Sequence, residues 1–379
     1  MNQSRKILVA MSGGVDSSAA ALLLRQQGYD VVGVAMQVWD YRNHSHNSAR
    51  ATCCAPADFD DARRISELGD FPFYVFDFEG SFDREVISPF VTAYQAGLTP
   101  NPCIECNRKI KFRELYRRAA MLGIDAVATG HYAQIKAVSE DELGLFTGRD
   151  LTKDQSYFLF MLTQEELGRT LFPVGGMHKR EVRELLASEG AVIAEKDESQ
   201  DICFVTGSVG DFVERYSGKK SVGGNIVSSQ GEVLGHHGGV HNFTVGQRRG
   251  LGVAAANPLY VLQIDADSQL VTVGEKDELD TAEFFVHSLS STRRDIFPES
   301  GEKEFCVKVR YRQQALPCLV SFVDDDLLKV RFTGELTAIC PGQLAVFYSP
   351  DTDTDGDREV FGGGTIARNF AGNSTGVGR

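Results

Sequence analysis

At 379 residues, 42% hydrophobic and 24% charged, the chain has a globular make-up and too much material for one core, so two or three domains are expected. No apolar run is long enough to cross a membrane, and Arg5-Lys6 leads into only five apolar residues before a glycine loop, so a cytoplasmic protein without a signal peptide is expected. The net charge of −13 argues against a surface generally coated with nucleic acid, and the eight cysteines read as reduced thiols, ligands or redox groups rather than a secreted disulfide framework.

In chain order, an apolar run over 7–11 and an alanine- and leucine-rich run over 19–24 flank Ala10-Met11-Ser12-Gly13-Gly14-Val15-Asp16-Ser17-Ser18. This pattern predicts strand, glycine turn and helix. Gly13 and Gly14 let the backbone approach a ligand, while Ser12, Ser17, Ser18 and the first N–H groups of the helix offer donors to one anion. The spacing is neither that of the Walker loop nor the dinucleotide G-x-G-x-x-G. An ordinary glycine turn would leave the flanking serines and Asp16 without purpose.

Residues 30–38 predict a second buried strand, parallel to the first and reached by a right-handed crossover. The polar stretch 39–56 holds His44, His46, Cys53 and Cys54, whose spacing fits neither a zinc ribbon nor a finger, so loop roles are expected over half of a metal site. A helix over 57–68, a strand over 73–78 and a helix over 89–96 follow, the last stopped by Pro100 and Pro102. Cys103-Ile104-Glu105-Cys106 then leads into a basic amphipathic helix over 107–122. The helix N-terminus and the neighbouring Arg108, Lys109 and Lys111 favour thiolate at both cysteines. Residues 125–129 predict a buried strand ending in Gly130-His131-Tyr132; His131 either faces the ligand crevice at the strand ends or packs inside.

Residues 133–149 predict a hairpin, Lys153-Asp154-Gln155-Ser156-Tyr157 the opening of a helix, and 164–169 and 179–189 further helices. Cys203, between Ile202 and Phe204, reads by itself as a buried thiol. From 219 onward glycines multiply and helical periodicity fades. Strands are expected at 224–227 and 260–264, then at 305–312, 318–323, 327–332 and 344–348, with the acidic 351–357 as a loop. The expected architecture is α/β: a parallel-sheet nucleotide-binding domain over 1–205, a small β-rich central domain over 206–283, a C-terminal β-barrel over 284–370 and a flexible tail over 371–379. Arg108, Lys109, Lys111, Arg113, Arg117, Arg118, Arg248, Arg249, Lys308, Arg310 and Arg312 could contribute to a local basic groove, although composition alone favours a solvated face for each.

The loop Ser-Gly-Gly-Val-Asp-Ser resembles the pyrophosphate loop of ATP-dependent adenylating enzymes. That likeness implies ATP cleaved to AMP and pyrophosphate, with Ala10, Met11, Ser12, Gly13, Gly14, Val15, Asp16 and Ser17 around the phosphates and Asp16 near Mg2+. Further motifs follow in order: 99–102, Cys106-Asn107, Ile110-Lys111-Phe112, Thr129-Gly130-His131-Tyr132, 153–157, Asp201-Ile202-Cys203-Phe204, 246–252 and Pro341-Gly342-Gln343. With these the chain is similar, over nearly its full length, to bacterial tRNA-specific 2-thiouridylases. The resemblance implies adenylation of the 2-oxo group of the wobble uridine in tRNA for Lys, Glu or Gln, and displacement of AMP by sulfur. It makes Cys203 the persulfide carrier and Cys106 the nucleophile that attacks it, with a transient disulfide and a persulfide donor such as a cysteine desulfurase or relay protein. Met36 and Gly130 match nucleotide-lining positions; Asn101, Pro102, Cys103, His131, Lys153, Asp154, Gln155, Arg310, Tyr311 and Gln343 match tRNA-facing ones.

One departure stands out. Many members of the family carry aspartate where this chain has Cys103, which gives Cys103-x-x-Cys106 plus Cys203, three thiolates that would suit a 4Fe-4S cluster with one open iron. The competing functions are an amide-forming synthetase on the same loop and a non-catalytic metal- and tRNA-binding module. The first would survive loss of Cys106 and Cys203, and the second would release no AMP.

Overall fold

The computed structural model describes residues 5–39, 56–196, 202–205 and 207–368. His44, His46, Cys53, Cys54, Asp201 and the expected tail lie outside the described residues. The first sheet is built on β1 (Lys6–Ala10), whose Ile7, Leu8 and Val9 are fully buried, as a strand covered on both faces requires. Parallel partners flank it: β2 (Asp30–Gln37), then β3 (Phe73–Asp77) on one side, and β4 (Ala126–Ala128), then the short Thr170–Leu171 strand on the other. Helix α1 (Val15–Gln26) connects β1 to β2 and buries its alanine face beside Leu22 and Leu24. The β-α-β reading therefore holds.

The helical stretch carrying the cysteines differs from expectation. It begins at Pro102 rather than at 107, so Cys103 and Cys106 lie within it and not before it. Asn101 explains this: its side chain caps the Cys103 N–H, and Pro102 occupies the first helical position, where its missing N–H is no loss. The run continues as a π-helical segment, Cys106–Phe112, and an α-helix, Arg113–Met121. The helix expected at 153–157 is a single turn, Ser156–Phe158.

The central region forms a four-stranded sheet from Gly224–Ser228, Val233–His237, Tyr260–Asp265 and Leu270–Gly274. Beyond it, Glu283–Ser291, Lys303–Lys308, Leu316–Asp324, Leu327–Phe332, Leu344–Thr352 and Arg358–Ile366 pair antiparallel. Because the first strand also pairs with the last, the six close into a barrel around Phe284, Phe305, Val307, Val330 and Phe347. The expected strand over 305–312 stops at Lys308, and the acidic 351–357 stretch is strand up to Thr352 and turn only after it. The Ala133–Ala137 and Leu143–Thr147 hairpin belongs in sequence to the first part of the chain, yet it joins the barrel's sheet through Glu359↔Phe146 and Val360↔Leu145.

Candidate active site

The carboxyl ends of β1, β2 and β4 deliver Ala10, Met36 and Gly130 to one edge of the parallel sheet. At Gly13 the backbone turns through φ +69° against Asp58, so close that a Cβ would stand 2.1 Å from the Asp58 carbonyl oxygen. Only glycine fits there. Gly14 caps α1 through its backbone with no side-chain bond, which leaves the first N–H groups of the helix aimed out of the loop. Ser17 Oγ accepts from the Ser12 N–H at 3.1 Å and donates to the Gly14 carbonyl at 3.2 Å, bracing the turn. Gly130 abuts the start of α1: a Cβ would lie 2.5 Å from Ser17 N and the Asp16 carbonyl carbon.

Two lysines that sequence reasoning missed bear on this loop. Lys179, buried at the start of the Lys179–Ser188 helix, donates from Nζ to Asp16 Oδ1 at 2.7 Å, beside the Tyr132 hydroxyl at 2.8 Å on the same oxygen. Lys196 donates to the Gly13 carbonyl at 3.0 Å and to Asp58 and Asp61, each at 2.7 Å. Burial works against the Lys196 charge, but hydrogen bonds to Asp58 and Asp61 hold its ammonium above the ordinary lysine range. Both lie more than 160 residues from the loop, and no local motif marks them.

Of the three cysteines, Cys103 is exposed, in the first helical turn, whereas Cys106 and Cys203 are half-buried. The latter two pack against one apolar cluster, formed by Phe82, Phe90, Ile110, Phe204 and Phe212, which Met36 also touches. Cys106, Cys203 and Met36 at the carboxyl end of β2 therefore pack against one and the same cluster. Cys103 is not part of that cluster.

The residues matched to RNA contacts are placed unevenly. His131 is buried, with Nδ1 2.7 Å from Thr129 Oγ1 and its ring stacked on Phe112. Burial, and then the charge of Lys111, pushes its pKa well below the usual histidine range, so the ring is neutral. Asp154 is also buried, accepting from the Gly148 and Ser156 N–H groups and pairing with Lys308 at 3.2 Å. Gln155 exchanges bonds with the Tyr132 backbone. Tyr311 lies against Phe158 with ring centroids 4.4 Å apart, and Lys153 and Arg310 sit in surface turns. Much of the basic helix is internally neutralised: Arg108 and Lys109 pair with Glu105, Arg113 with Glu85 and Arg117 with Glu114.

Comparison with known proteins covers almost the whole chain. Residues 5–207 match the family model described as a tRNA methyl transferase HUP domain, 210–275 a tRNA methyl transferase PRC-barrel domain, and 282–366 an aminomethyltransferase beta-barrel domain. A tRNA-specific 2-thiouridylase of Geotalea uraniireducens is 46% identical over 368 residues, 96% of each chain. One from Geobacter metallireducens is 46% identical over 367 residues, again 96% of each, and one from Lachnoclostridium phytofermentans 41% over 365 residues, 96% of this chain and 100% of that one.

Proposed function

This chain belongs to the tRNA-specific 2-thiouridylase family, and on that premise we propose how its residues divide the work of replacing a uridine 2-oxygen in tRNA by sulfur. It is a sulfurtransferase that uses ATP. The pyrophosphate-type loop and the thiols suit adenylation and sulfur transfer; methyl transfer would use neither.

The target is the wobble uridine of tRNA for Lys, Glu or Gln. Its 2-oxygen is a poor leaving group until it attacks the α-phosphorus of ATP and expels pyrophosphate. The loop 10–17 receives the phosphates on the first N–H groups of α1 and on Ser12 and Ser17. Asp16 fits a magnesium ion: one oxygen takes Lys179 and Tyr132, and the carboxylate stands in the first turn of α1, beside the phosphate-receiving N–H groups. The ion, when bound, offsets negative charge on the leaving pyrophosphate.

In the second half, a donor delivers sulfur as a persulfide on Cys203. The Cys106 thiolate attacks the inner sulfur, the S–S bond to the outer sulfur breaks, and hydrosulfide leaves while Cys106 and Cys203 form a disulfide. Hydrosulfide then displaces AMP from C2, and an external dithiol reduces the disulfide. The observation that supports this division is the shared apolar cluster that Cys106 and Cys203 pack against beside Met36. A water-poor setting strengthens a sulfur nucleophile and protects the adenylated base from hydrolysis.

A second reading is favoured by Cys103 and Cys106 standing three residues apart in one helical run. With Cys203 they would be the three thiolates for a 4Fe-4S cluster, which would supply a binding site for hydrosulfide. Unmodified tRNA incubated with protein, Mg-ATP and a persulfide donor is expected to yield 2-thiouridine and AMP in equal amounts. Failure to form the nucleoside under both aerobic and anaerobic conditions would overturn the function.

A further inference from the structure

Gly246-Gln247-Arg248-Arg249-Gly250-Leu251-Gly252 lies outside both the nucleotide loop and the cysteine cluster, as a loop of the central region fastened at two points. At its root the Gly246 N–H donates to the Val261 carbonyl at 2.8 Å, and the Gln247 carbonyl accepts from the Val261 N–H at 3.0 Å. The Gln247 side chain accepts from the Thr244 N–H at 3.0 Å and donates to the Arg249 carbonyl at 2.9 Å. Beyond the arginines, Leu251 is buried in the core formed around Val245, Val261 and Cys340. Between these anchors the backbone turns through φ +76° at Gly250 and +71° at Gly252, a conformation that costs glycine little. Among the described residues no acceptor meets the main-chain N–H groups of 248–252. Arg248, Gly250 and Gly252 line an open cavity of about 410 Å³, at whose far rim Asn257 Nδ2 donates to Glu275 Oε1 at 2.9 Å.

Charge sets this loop apart from the basic helix. Arg248, Arg249 and Arg310 are exposed, and among the described residues none of them has a carboxylate partner, whereas Arg108, Lys109, Arg113 and Arg117 are each paired with a glutamate. Arg310 reaches the loop from the barrel: a Cβ on Gly246 would stand 3.1 Å from one of its terminal nitrogens. The same root adjoins the segment leading to the thiol helix, since the Thr99 hydroxyl donates to Thr244 Oγ1 at 3.3 Å. In a chain of net charge −13, three unneutralised guanidinium groups beside a row of N–H donors select phosphate oxygens, which the guanidinium fork matches.

We propose that the 246–252 loop grips the phosphodiester backbone of the anticodon arm, with Arg248 and Arg249 on the phosphates and the glycine N–H groups beneath them. This rests on the thiolase reading and adds a contact from the central region, where the family resemblance matches no tRNA-facing position. A phosphate grip carries affinity and register, and leaves the choice of base to other residues.

The test is the double variant Arg248→Gln, Arg249→Gln in the full-length protein. Three quantities are measured: tRNA binding between about 50 and 200 mM salt, protection of phosphorothioate-substituted tRNA from iodine cleavage, and ATP binding. The slope of log affinity against log salt is expected to fall by about one per arginine, with affinity at the lower salt reduced roughly tenfold or more. Protection is expected to disappear at phosphates of the anticodon arm, while ATP binds as in wild type. An unchanged slope would overturn the proposal. So would a lowered slope with protection intact, which means long-range attraction only, or a loss confined to ATP, which means that the loop serves the nucleotide. Should the double variant fail to fold, each single variant must lower the slope by about one. Binding needs no turnover, so a wild type that bound tRNA without forming 2-thiouridine would refute the functional reading while the slopes and protection still decided the role of the loop.

Discussion

Asp16 serves two ends with one carboxylate. Its Oδ1 accepts from the Lys179 ammonium and the Tyr132 hydroxyl, and in the function proposed above its charge serves the metal and the phosphates. Asp16→Asn separates these ends, since the amide oxygen still accepts both donors. We expect the variant to fold with a melting temperature close to wild type and to lose AMP formation by about 100-fold or more, as removal of a transition-state electrostatic partner does. Normal AMP release would remove Asp16 from the metal site. His131 makes a separate prediction in pH. The folded ring resists protonation, mainly by burial, while an unfolded chain takes up the proton at about 6.5. The unfolded state therefore binds more protons below that pH, and stability falls as pH drops through it toward the lower folded value. His237 and His241 are depressed in the same direction, also by burial, and remain in both proteins, so a shallower acid limb in His131→Gln isolates His131. An unchanged limb would show that the ring charges freely in the folded protein.

At the scale of elements, the strand–loop–helix unit was legible in the sequence because its signals are local: five apolar residues, two glycines, flanking serines, an alanine-rich run. The latch that holds the loop was not. Lys196 reaches Gly13, Asp58 and Asp61 from far along the chain, and a lone lysine in a polar stretch carries no signature of that role. Lys196→Met is expected to weaken ATP binding by roughly tenfold, about 1.4 kcal/mol, because Asp58 and Asp61 then repel each other beneath the turn; titration calorimetry measures it, and wild-type affinity would show that the turn holds itself. Gly130→Ala drives the end of β4 into the first turn of α1 and is expected to abolish ATP binding in the same assay. The helix of the cysteines departs from its sequence signal for a physical reason. A proline after a helical run reads as a stop, whereas Pro102 behind Asn101 is a start, and only the capping bond distinguishes the two.

Over the whole molecule, the fold class follows from texture, helical periodicity giving way to short strands, but the joints between parts do not. The hairpin Ala133–Ala137 and Leu143–Thr147 extends the barrel's sheet from its last strand, and its Lys136 inserts an ammonium among Asp353, Asp355 and Asp357 at 2.6, 3.1 and 2.8 Å. Burial opposes that charge, yet hydrogen bonds to the three aspartates raise the Lys136 pKa above its usual range. Arg293 adds a second joint, to Glu142 and Glu359. These partners stand more than 60 residues apart, a separation at which pairing leaves no periodicity to read. Lys136→Met leaves three carboxylates facing one another and is expected to cost about 2 kcal/mol in urea unfolding, with part of the loss recovered in 1 M salt; no loss would mean that the hairpin is held by its strand pairing alone. In the function proposed above, Cys106 and Cys203, packed against one apolar cluster, pass sulfur between them without Cys103. Its most direct test is 2-thiouridine formation from a persulfide donor by anaerobically purified wild type and Cys103→Ser, with iron and acid-labile sulfide measured on both. Active, iron-free wild type and an equally active variant are expected, whereas a near-stoichiometric cluster lost together with activity in Cys103→Ser would overturn this two-cysteine route.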